Sequence, residues 1–250
     1  MNTAENTPVI VTRPAHQAQH FIEGLQQQGL PVVALPTISI QYRSAPLTSD
    51  ELLLLHQNDL LIFTSANAAS AAVRLDVLQN TDARTACIGV ATARALRQHN
   101  IEPDYVPPGN LTSEGLLEFL QQNTTGSTIT LVQGHGGREL LLRELTAQGK
   151  SVTPLALYSR ELPVPDAESL AQAIDALPCT ISVSSNEGLT NLLKIIPQSH
   201  HRDVLRSDLI VNSERCRDLA DSLGHRGRVA IASPPGDKGQ LAALARLQQR

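Results

Sequence analysis

Aromatic residues are scarce in this chain of 250 residues, which contains three Phe, three Tyr and no Trp. Proteins that bind single-stranded nucleic acid stack the bases on aromatic side chains, so this composition argues against such a platform. The formal net charge is only −4, which gives no general electrostatic bias toward nucleic acid. The hydrophobic cores are therefore expected to consist of Leu, Ala, Val and Ile.

Cysteine is also rare. Cys87, Cys179 and Cys216 are odd in number, far apart and free of C-x-x-C spacing, so neither a disulfide framework nor a metal site is expected. Each lies in or beside an apolar run, where a buried cysteine behaves as a small hydrophobic residue. The sequence starts without a signal-peptide pattern and has no membrane-spanning apolar run, so we expect a cytoplasmic protein.

Several catalytic signatures are missing. The sequence contains no G-x-x-x-x-G-K-[ST] loop, no G-x-G-x-x-G after the first predicted strand, no H-E-x-x-H and no G-x-S-x-G. Phosphoryl transfer, nicotinamide chemistry and hydrolysis by zinc or serine are therefore not predicted.

Apolar segments alternate with helical patterns along the chain, which predicts an α/β fold with parallel sheets. The first unit of this kind is a strand at 9–11, a helix at 16–28 that Gly29 closes, and a strand at 31–35. A further strand and turn are predicted at 105–109.

The pattern occurs twice. Residues 9–40 align without a gap with residues 129–160, and Ser65 aligns with Ser185 at the same offset of 120 residues. The order of the repeated blocks predicts two similar doubly wound parallel-sheet domains of flavodoxin- or Rossmann-like type.

Two extended segments, 37–40 and 159–165, indicate where the chain passes between these domains. One division makes 41–158 an inserted domain and joins 1–36 with 166–250 into a discontinuous domain. Two tandem halves are the competing division. Ligands bind beyond the carboxyl ends of parallel strands, so the cleft between the domains is the expected site in either case.

The residues predicted to line this cleft are mostly hydroxyls, amides and glycines: Thr12, Arg13, Thr64, Ser65, Asn67, Gly89, Thr92, Gly134 to Arg138, Tyr158, Ser184, Ser185, Asn186 and Ser213. Such a lining suits a polyanion held by neutral hydrogen bonds and backbone N–H groups. The turn at Gly89 and the glycine-rich segment 133–138 are each either an anion site or an ordinary turn. Ser65 and Ser185 are expected to cap helices rather than to attack carbonyls, and Tyr158 either lines the cleft or fills the core.

Six motifs follow one another in a set order: Thr12-Arg13-Pro14, Phe63-Thr64-Ser65-x-Asn67, Ile88-Gly89-x-x-Thr92-Ala93-x-Ala95-Leu96, Gly134-x-x-x-Arg138-x-x-Leu141, Leu157-Tyr158 and Ser184-Ser185. Their order and spacing resemble those of the uroporphyrinogen-III synthase family, over about residues 8–247. The resemblance implies two doubly wound domains joined by a two-stranded linker. It also implies a substrate, hydroxymethylbilane, which is a linear tetrapyrrole rich in carboxylates. The family closes this chain with inversion of the last pyrrole, ring D, through a spiro intermediate and with loss of water, without cofactor or metal.

Within this resemblance, Tyr158 matches the tyrosine placed near the leaving hydroxyl, and its implied catalytic role is that of a hydrogen-bond or proton donor. The residues assigned to the substrate are Thr12, Arg13, Ser65, Asn67, Gly89, Thr92, Gly134, Arg138, Ser185, Asn186 and Ser213. Arg13 and Arg138 have the alternative role of bracing the sheet ends. The segment at Ser213 departs from the family, in which many members carry Gly and Thr residues there. Ser213 can replace one donor, but Glu214 would repel a carboxylate if it faced the cleft.

The expected partners are the small-molecule substrate and, transiently, the upstream enzyme that forms the bilane, with no nucleic acid and no membrane. The chain is expected to act as a monomer. The other function that the sequence allows is a two-lobed cytoplasmic sensor or carrier that binds an anion without catalysis.

Overall fold

The computed structural model describes residues 7–108, 113–123, 126–137 and 139–249. The strands are β1 (Val9–Val11), β2 (Val32–Ala34), β3 (Ser39–Tyr42), β4 (Leu60–Phe63), β5 (Arg84–Cys87), β6 (Thr128–Gly134), β7 (Ser151–Glu161), β8 (Thr180–Val183), β9 (Asp208–Val211) and β10 (Val229–Ile231). The helices are α1 (Ala15–Gln27), α2 (Ser49–His56), α3 (Ala66–Arg74), α4 (Val90–Arg97), α5 (Ser113–Asn123), α6 (Glu139–Ala147), α7 (Ala167–Ala176), α8 (Asn186–Ile195), α9 (His201–Val204), α10 (Glu214–Ser222) and α11 (Asp237–Gln248). Short 3₁₀ turns lie at Val77–Asn80 and Gln198–His200.

The chain forms two compact units, which we call the split unit and the inserted unit. The split unit contains the residues up to Ser39 and those from Glu161 onward, and the inserted unit is Ile40–Arg160. The chain therefore passes from one unit to the other within β3 and again within β7.

Each unit is built on one sheet of five strands. The order is β10-β9-β8-β1-β2 in the split unit, and every strand pair there is parallel. The order is β3-β7-β6-β4-β5 in the inserted unit, where β4, β5, β6 and β7 pair in parallel. The predicted α/β fold with parallel sheets is confirmed.

Four equivalent strands have the same spatial order in the two sheets, but their order along the chain is circularly permuted. The repeat makes β1 and β2 equivalent to β6 and β7, and it makes β8 and β9 equivalent to β4 and β5. The first pair precedes the second along the chain in the split unit, and it follows the second in the inserted unit. The strand neighbours are nevertheless the same, so each sheet has the flavodoxin-like arrangement.

The cores are aliphatic and cover both faces of each sheet. In β4, Leu61 and Phe63 pack on the face of α3 and α4, whereas Leu60 and Ile62 pack on the face of α5 and α6. Alternation along the strand explains this division, and burial on both faces explains why the strand is apolar throughout. Within the described ranges, no helix has both the length and the apolar character needed to cross a membrane.

Two predicted segments differ from the structure. The strand predicted at 105–109 is a single parallel bridge from Tyr105 to Ala86, because Pro107 and Pro108 have no N–H groups with which to extend a ladder. Gly109 lies outside the described residues. The glycine-rich segment begins inside a strand, since Gln133 and Gly134 belong to β6.

Candidate active site

The carboxyl edge of the inserted sheet has a switch point between β4 and β6. The chain leaves β4 toward β5 on one side and leaves β6 toward β7 on the other. Connections that diverge in this way open a crevice at the strand ends, where α/β proteins bind ligands. Thr64 and Ser65 follow β4 directly, and Gly134 is the last residue of β6.

Ser65 and Tyr158 meet at this edge, although 93 positions separate them in the sequence. The Ser65 side chain caps α3 by accepting a hydrogen bond of 3.1 Å from the Ala68 amide, as predicted. The Ser65 Oγ also lies 3.0 Å from the Tyr158 hydroxyl oxygen. Only 2% of Tyr158 is exposed, so core packing fixes the ring while its hydroxyl bonds to a residue of the strand edge.

The Tyr158 ring leaves no room for a side chain at Gly134. The pairing of β6 with β7 shifts between Gln133 and Gly134, which sets Gly134 directly opposite Tyr158. A Cβ atom on Gly134 would lie 2.6 Å from Cζ and 2.7 Å from Cε2 of that ring, which is closer than any ordinary carbon–carbon contact. The sequence predicts Gly134 to be a carboxylate-binding glycine of a loop, whereas the structure places it in a strand, where it leaves room for Tyr158. The contact of Gly134 with a carboxylate stays a prediction.

Arg160 completes this cluster, and the sequence reasoning missed it. Its Nη2 donates a hydrogen bond of 3.3 Å to the Tyr158 hydroxyl, and its Cζ lies 5.7 Å from the centroid of the same ring. The signal that could have found it is simple. Residues two apart on a strand face the same side of the sheet, so an arginine two positions after Tyr158 is its neighbour.

The turn at Gly89 leads from β5 into α4. Gly89 is the N-cap residue of α4, and it has no side chain that could accept a hydrogen bond from the backbone amides of the first turn. Thr92 is buried, and its amide donates to the Gly89 carbonyl at 3.1 Å. Asn67 is half-buried in the first turn of α3. The predicted site residue Arg138 lies outside the described residues.

Thr12 and Arg13 of the split unit are engaged inside that unit. The Thr12 hydroxyl donates to the Ser182 carbonyl at 2.8 Å. The Arg13 guanidinium forms an ion pair with Asp237, donates to Gln240 Oε1 at 2.8 Å and lies over the Phe21 ring. Arg13 is only 8% exposed, so these contacts favour its alternative role as a brace of the sheet end.

The remaining predicted residues of the split unit lie at helix starts. Ser185 caps α8 and Ser213 caps α10, with their side chains accepting from the third residue of each helix. Asn186 donates to the Arg215 carbonyl at 3.4 Å. Glu214 forms an ion pair with Arg217 on the exposed first turn of α10. Ser213 thus caps its own helix, whereas the equivalent Gly89 cannot.

The cysteines are among the titratable groups with clearly altered pKa values, and Cys87 is the last residue of β5 at this same edge. Burial raises the pKa of the Cys87 and Cys179 thiols to about 12 and that of Cys216 to about 11, so none of them serves as a thiolate nucleophile near neutral pH. The described part of the chain contains no group of three or more His, Cys, Asp or Glu side chains that could hold a metal ion.

Comparison with known proteins gives consistent results. A family model described as "Uroporphyrinogen-III synthase HemD" matches residues 19–237. The uroporphyrinogen-III synthase of Salmonella typhimurium is 32% identical over 244 residues, and that of Escherichia coli is 31% identical over 246 residues. Each alignment covers 94% of this chain and 99% of the relative.

Two crystal structures share the fold. A mutant uroporphyrinogen III synthase from the extremely thermophilic bacterium Thermus thermophilus superposes with a TM-score of 0.62 at 18% identity, covering 98% of this chain and 100% of that one. The uroporphyrinogen-III synthetase from Helicobacter pylori gives a TM-score of 0.65 at 14% identity, covering 96% and 99%.

Proposed function

Because this chain belongs to the uroporphyrinogen-III synthase family, we infer its reaction from that membership and propose which of its residues carry the reaction out. The chain is a cyclising lyase of tetrapyrrole and haem biosynthesis. Its substrate is hydroxymethylbilane, and its product is uroporphyrinogen III, formed with inversion of ring D and loss of water.

The chemistry makes a modest demand on acid catalysis. The electrons of the pyrrole drive out the terminal hydroxyl, so the enzyme needs a hydrogen-bond donor near the leaving oxygen rather than a strong acid. Tyr158 fits this role. Its ring is held by the core and by the space at Gly134, and its hydroxyl lies at the carboxyl edge beside Ser65. A donor on so rigid a support keeps its position during the reaction.

The larger task is conformational. The bilane has to be held folded so that the substituted carbon of ring D attacks the carbon that has lost the hydroxyl, which is a matter of position rather than of reactivity. Neutral hydrogen-bond donors at the carboxyl edges of the sheets hold the carboxylates of the substrate. In the inserted unit, we assign this role first to the backbone amides at the start of α4, where Gly89 has no capping side chain. In the split unit, Ser185, Asn186 and the first turn of α10 after Ser213 contribute more weakly, because their polar groups already have internal partners.

The contact between Ser65 and Tyr158 carries the proposal for the site, and a coupled assay tests it. Hydroxymethylbilane is generated in place by the enzyme that forms it, and the porphyrinogen isomers are oxidised and separated. The wild-type chain should give mainly isomer III, and isomer I alone would overturn the assigned function. Tyr158→Phe should lower kcat by about 10²-fold or more, as loss of a positioned proton donor does. An unchanged kcat would remove Tyr158 from the mechanism and leave the function standing.

We further propose that the chain acts as a monomer in the cytoplasm. Sedimentation at working concentration, with and without the bilane-forming enzyme, checks both the monomer and the transient contact. A stable dimer that is required for activity would contradict this assignment.

A further inference from the structure

Among the described residues, two side chains form hydrogen bonds with the Tyr158 hydroxyl, and their chemistry decides where the phenol proton points. Ser65 Oγ lies at 3.0 Å and Arg160 Nη2 at 3.3 Å from the phenol oxygen. A guanidinium has only N–H donors and no acceptor, so the phenol oxygen accepts the bond from Arg160. Whether the phenol donates to Ser65 or accepts from it is the open choice.

Ser65 is suited to either direction. Its oxygen already accepts the Ala68 amide at 3.1 Å, and a hydroxyl keeps a second lone pair and its own proton for another partner. If the phenol donated to Ser65, its proton would be used inside the protein. If Ser65 donates to the phenol, the Tyr158 proton stays available for a third partner.

We propose that Arg160 is a positioning residue that fixes the hydrogen bond in the direction from the Ser65 hydroxyl to the Tyr158 oxygen. A cation near the phenol oxygen favours the arrangement in which the phenolic O–H dipole points away from the guanidinium. The Arg160 charge also lies 5.7 Å from the ring centroid, within the range of a cation–π contact, which holds the guanidinium in place. With the oxygen accepting from both Arg160 and Ser65, the Tyr158 proton is directed to the leaving hydroxyl of the substrate. This inference rests on the donor role of Tyr158 proposed above.

The position of Arg160 permits a clean test. The residue is exposed near the end of β7, whereas Tyr158 is buried, so removing the arginine side chain leaves the core intact. Arg97 is a matched control, since it is also an exposed arginine of the inserted unit and is bound to Glu102 instead. Arg97→Gln removes the same charge from the same unit without touching the tyrosine.

The kinetic test compares Arg160→Gln, Arg160→Lys and Arg97→Gln in the coupled assay. Arg160→Gln should lower kcat about tenfold with little change in KM, and Arg160→Lys should restore most of the loss because an ammonium also donates. Arg160→Gln should have no further effect in a Tyr158→Phe background, since it acts through that hydroxyl. A rise in KM alone, or the same loss in both backgrounds, would show that Arg160 binds the substrate directly and would overturn the proposal.

A spectroscopic test is independent of turnover. A chain labelled with ¹³Cζ-tyrosine gives three signals, because it has three tyrosines, and Tyr158→Phe identifies the one of interest. That signal should shift in Arg160→Gln and stay in place in Arg97→Gln. An unchanged signal in Arg160→Gln would overturn the orienting contact itself. An unchanged kcat in Tyr158→Phe would instead overturn the donor role, and with it the catalytic consequence of Arg160.

Discussion

Gly134→Ala replaces one hydrogen with a methyl group and should displace the Tyr158 ring without removing any polar atom. The new Cβ would lie 2.6, 2.7 and 3.0 Å from Cζ, Cε2 and Cε1 of the Tyr158 ring. Carbon atoms in contact prefer separations of about 3.5–4.0 Å, so the ring has to move by roughly 1 Å. Gly134 itself cannot retreat easily, because it is paired within the sheet.

Two effects of different size follow from this displacement. Overpacking of a filled site costs about 1–3 kcal/mol of the free energy of unfolding, which a large α/β unit can tolerate. A catalytic group misplaced by about 1 Å can cost about 10²-fold in rate. Gly134→Ala should therefore stay folded at 25 °C while its kcat falls toward that of Tyr158→Phe. The loss should not exceed the loss in Tyr158→Phe, since that variant removes the hydroxyl altogether.

The coupled assay measures kcat and the ratio of isomers III and I, and thermal unfolding reports whether the variant is native. Gly24→Ala is a suitable control, because its Cβ would meet only the flexible end of Leu241 at 3.0 Å in the middle of α1. Its kcat should equal that of the wild type. A Gly134→Ala protein with wild-type kcat and an unshifted Tyr158 signal would refute the argument that this glycine makes room for the catalytic ring.

Three further outcomes are expected. Thr130→Val should raise the free energy of unfolding by about 1 kcal/mol, because the buried Thr130 hydroxyl has no hydrogen-bond partner among the described residues. Thr12→Val should lower the free energy of unfolding by a similar amount, because it removes a hydroxyl that is hydrogen-bonded to the Ser182 carbonyl. Urea titrations that rank the two variants the other way would contradict this expectation. Arg43 lowers the pKa of Glu51 to about 2. The wild type should therefore exceed Glu51→Gln in stability by the full margin above pH 4.5, and this margin should shrink as the pH falls toward 2. Urea midpoints measured across that pH range would show the change. The three buried thiols should react with a disulfide reagent only after denaturation, and rapid labelling of the native chain would count against their burial.

Much of the fold could be predicted because its signals are local and occur twice. The glycines that close the two equivalent helices, Gly29 and Gly149, both have positive φ angles, of 73° and 77°, and this is a conformation that other residues avoid. A repeated glycine stop between two apolar strands specifies a βαβ unit without knowledge of the rest of the chain. The serine at the end of the equivalent strands was likewise predicted as a helix cap, and Ser65 and Ser185 confirm it.

The site was harder to predict because its contacts are distant in sequence. The register shift at Gln133 and Gly134, which brings Gly134 opposite Tyr158, leaves no mark in the local pattern. Arg13 shows the same limit, since its partners Asp237 and Gln240 lie more than two hundred positions away. An arginine at the end of a strand, in a family that binds carboxylates, suggests a contact with the ligand. Only the packing of α11 shows that the Arg13 guanidinium is already paired with the carboxylate of Asp237.

The insertion of one unit into the other has a consequence for protein synthesis. β1 and β2 leave the ribosome before the inserted unit, yet β1 lies between β2 and β8, and β8 is made roughly 150 residues after β2. At about 5–20 residues per second, this is a delay of roughly eight to thirty seconds. Strands β4 to β7 are completed within that interval, so the inserted unit can fold on the nascent chain while Val9–Val11 still lacks its neighbour. The two strands that are translated before the inserted unit therefore complete their sheet only after that unit has been made, and Val9–Val11 lacks its second neighbour in the meantime.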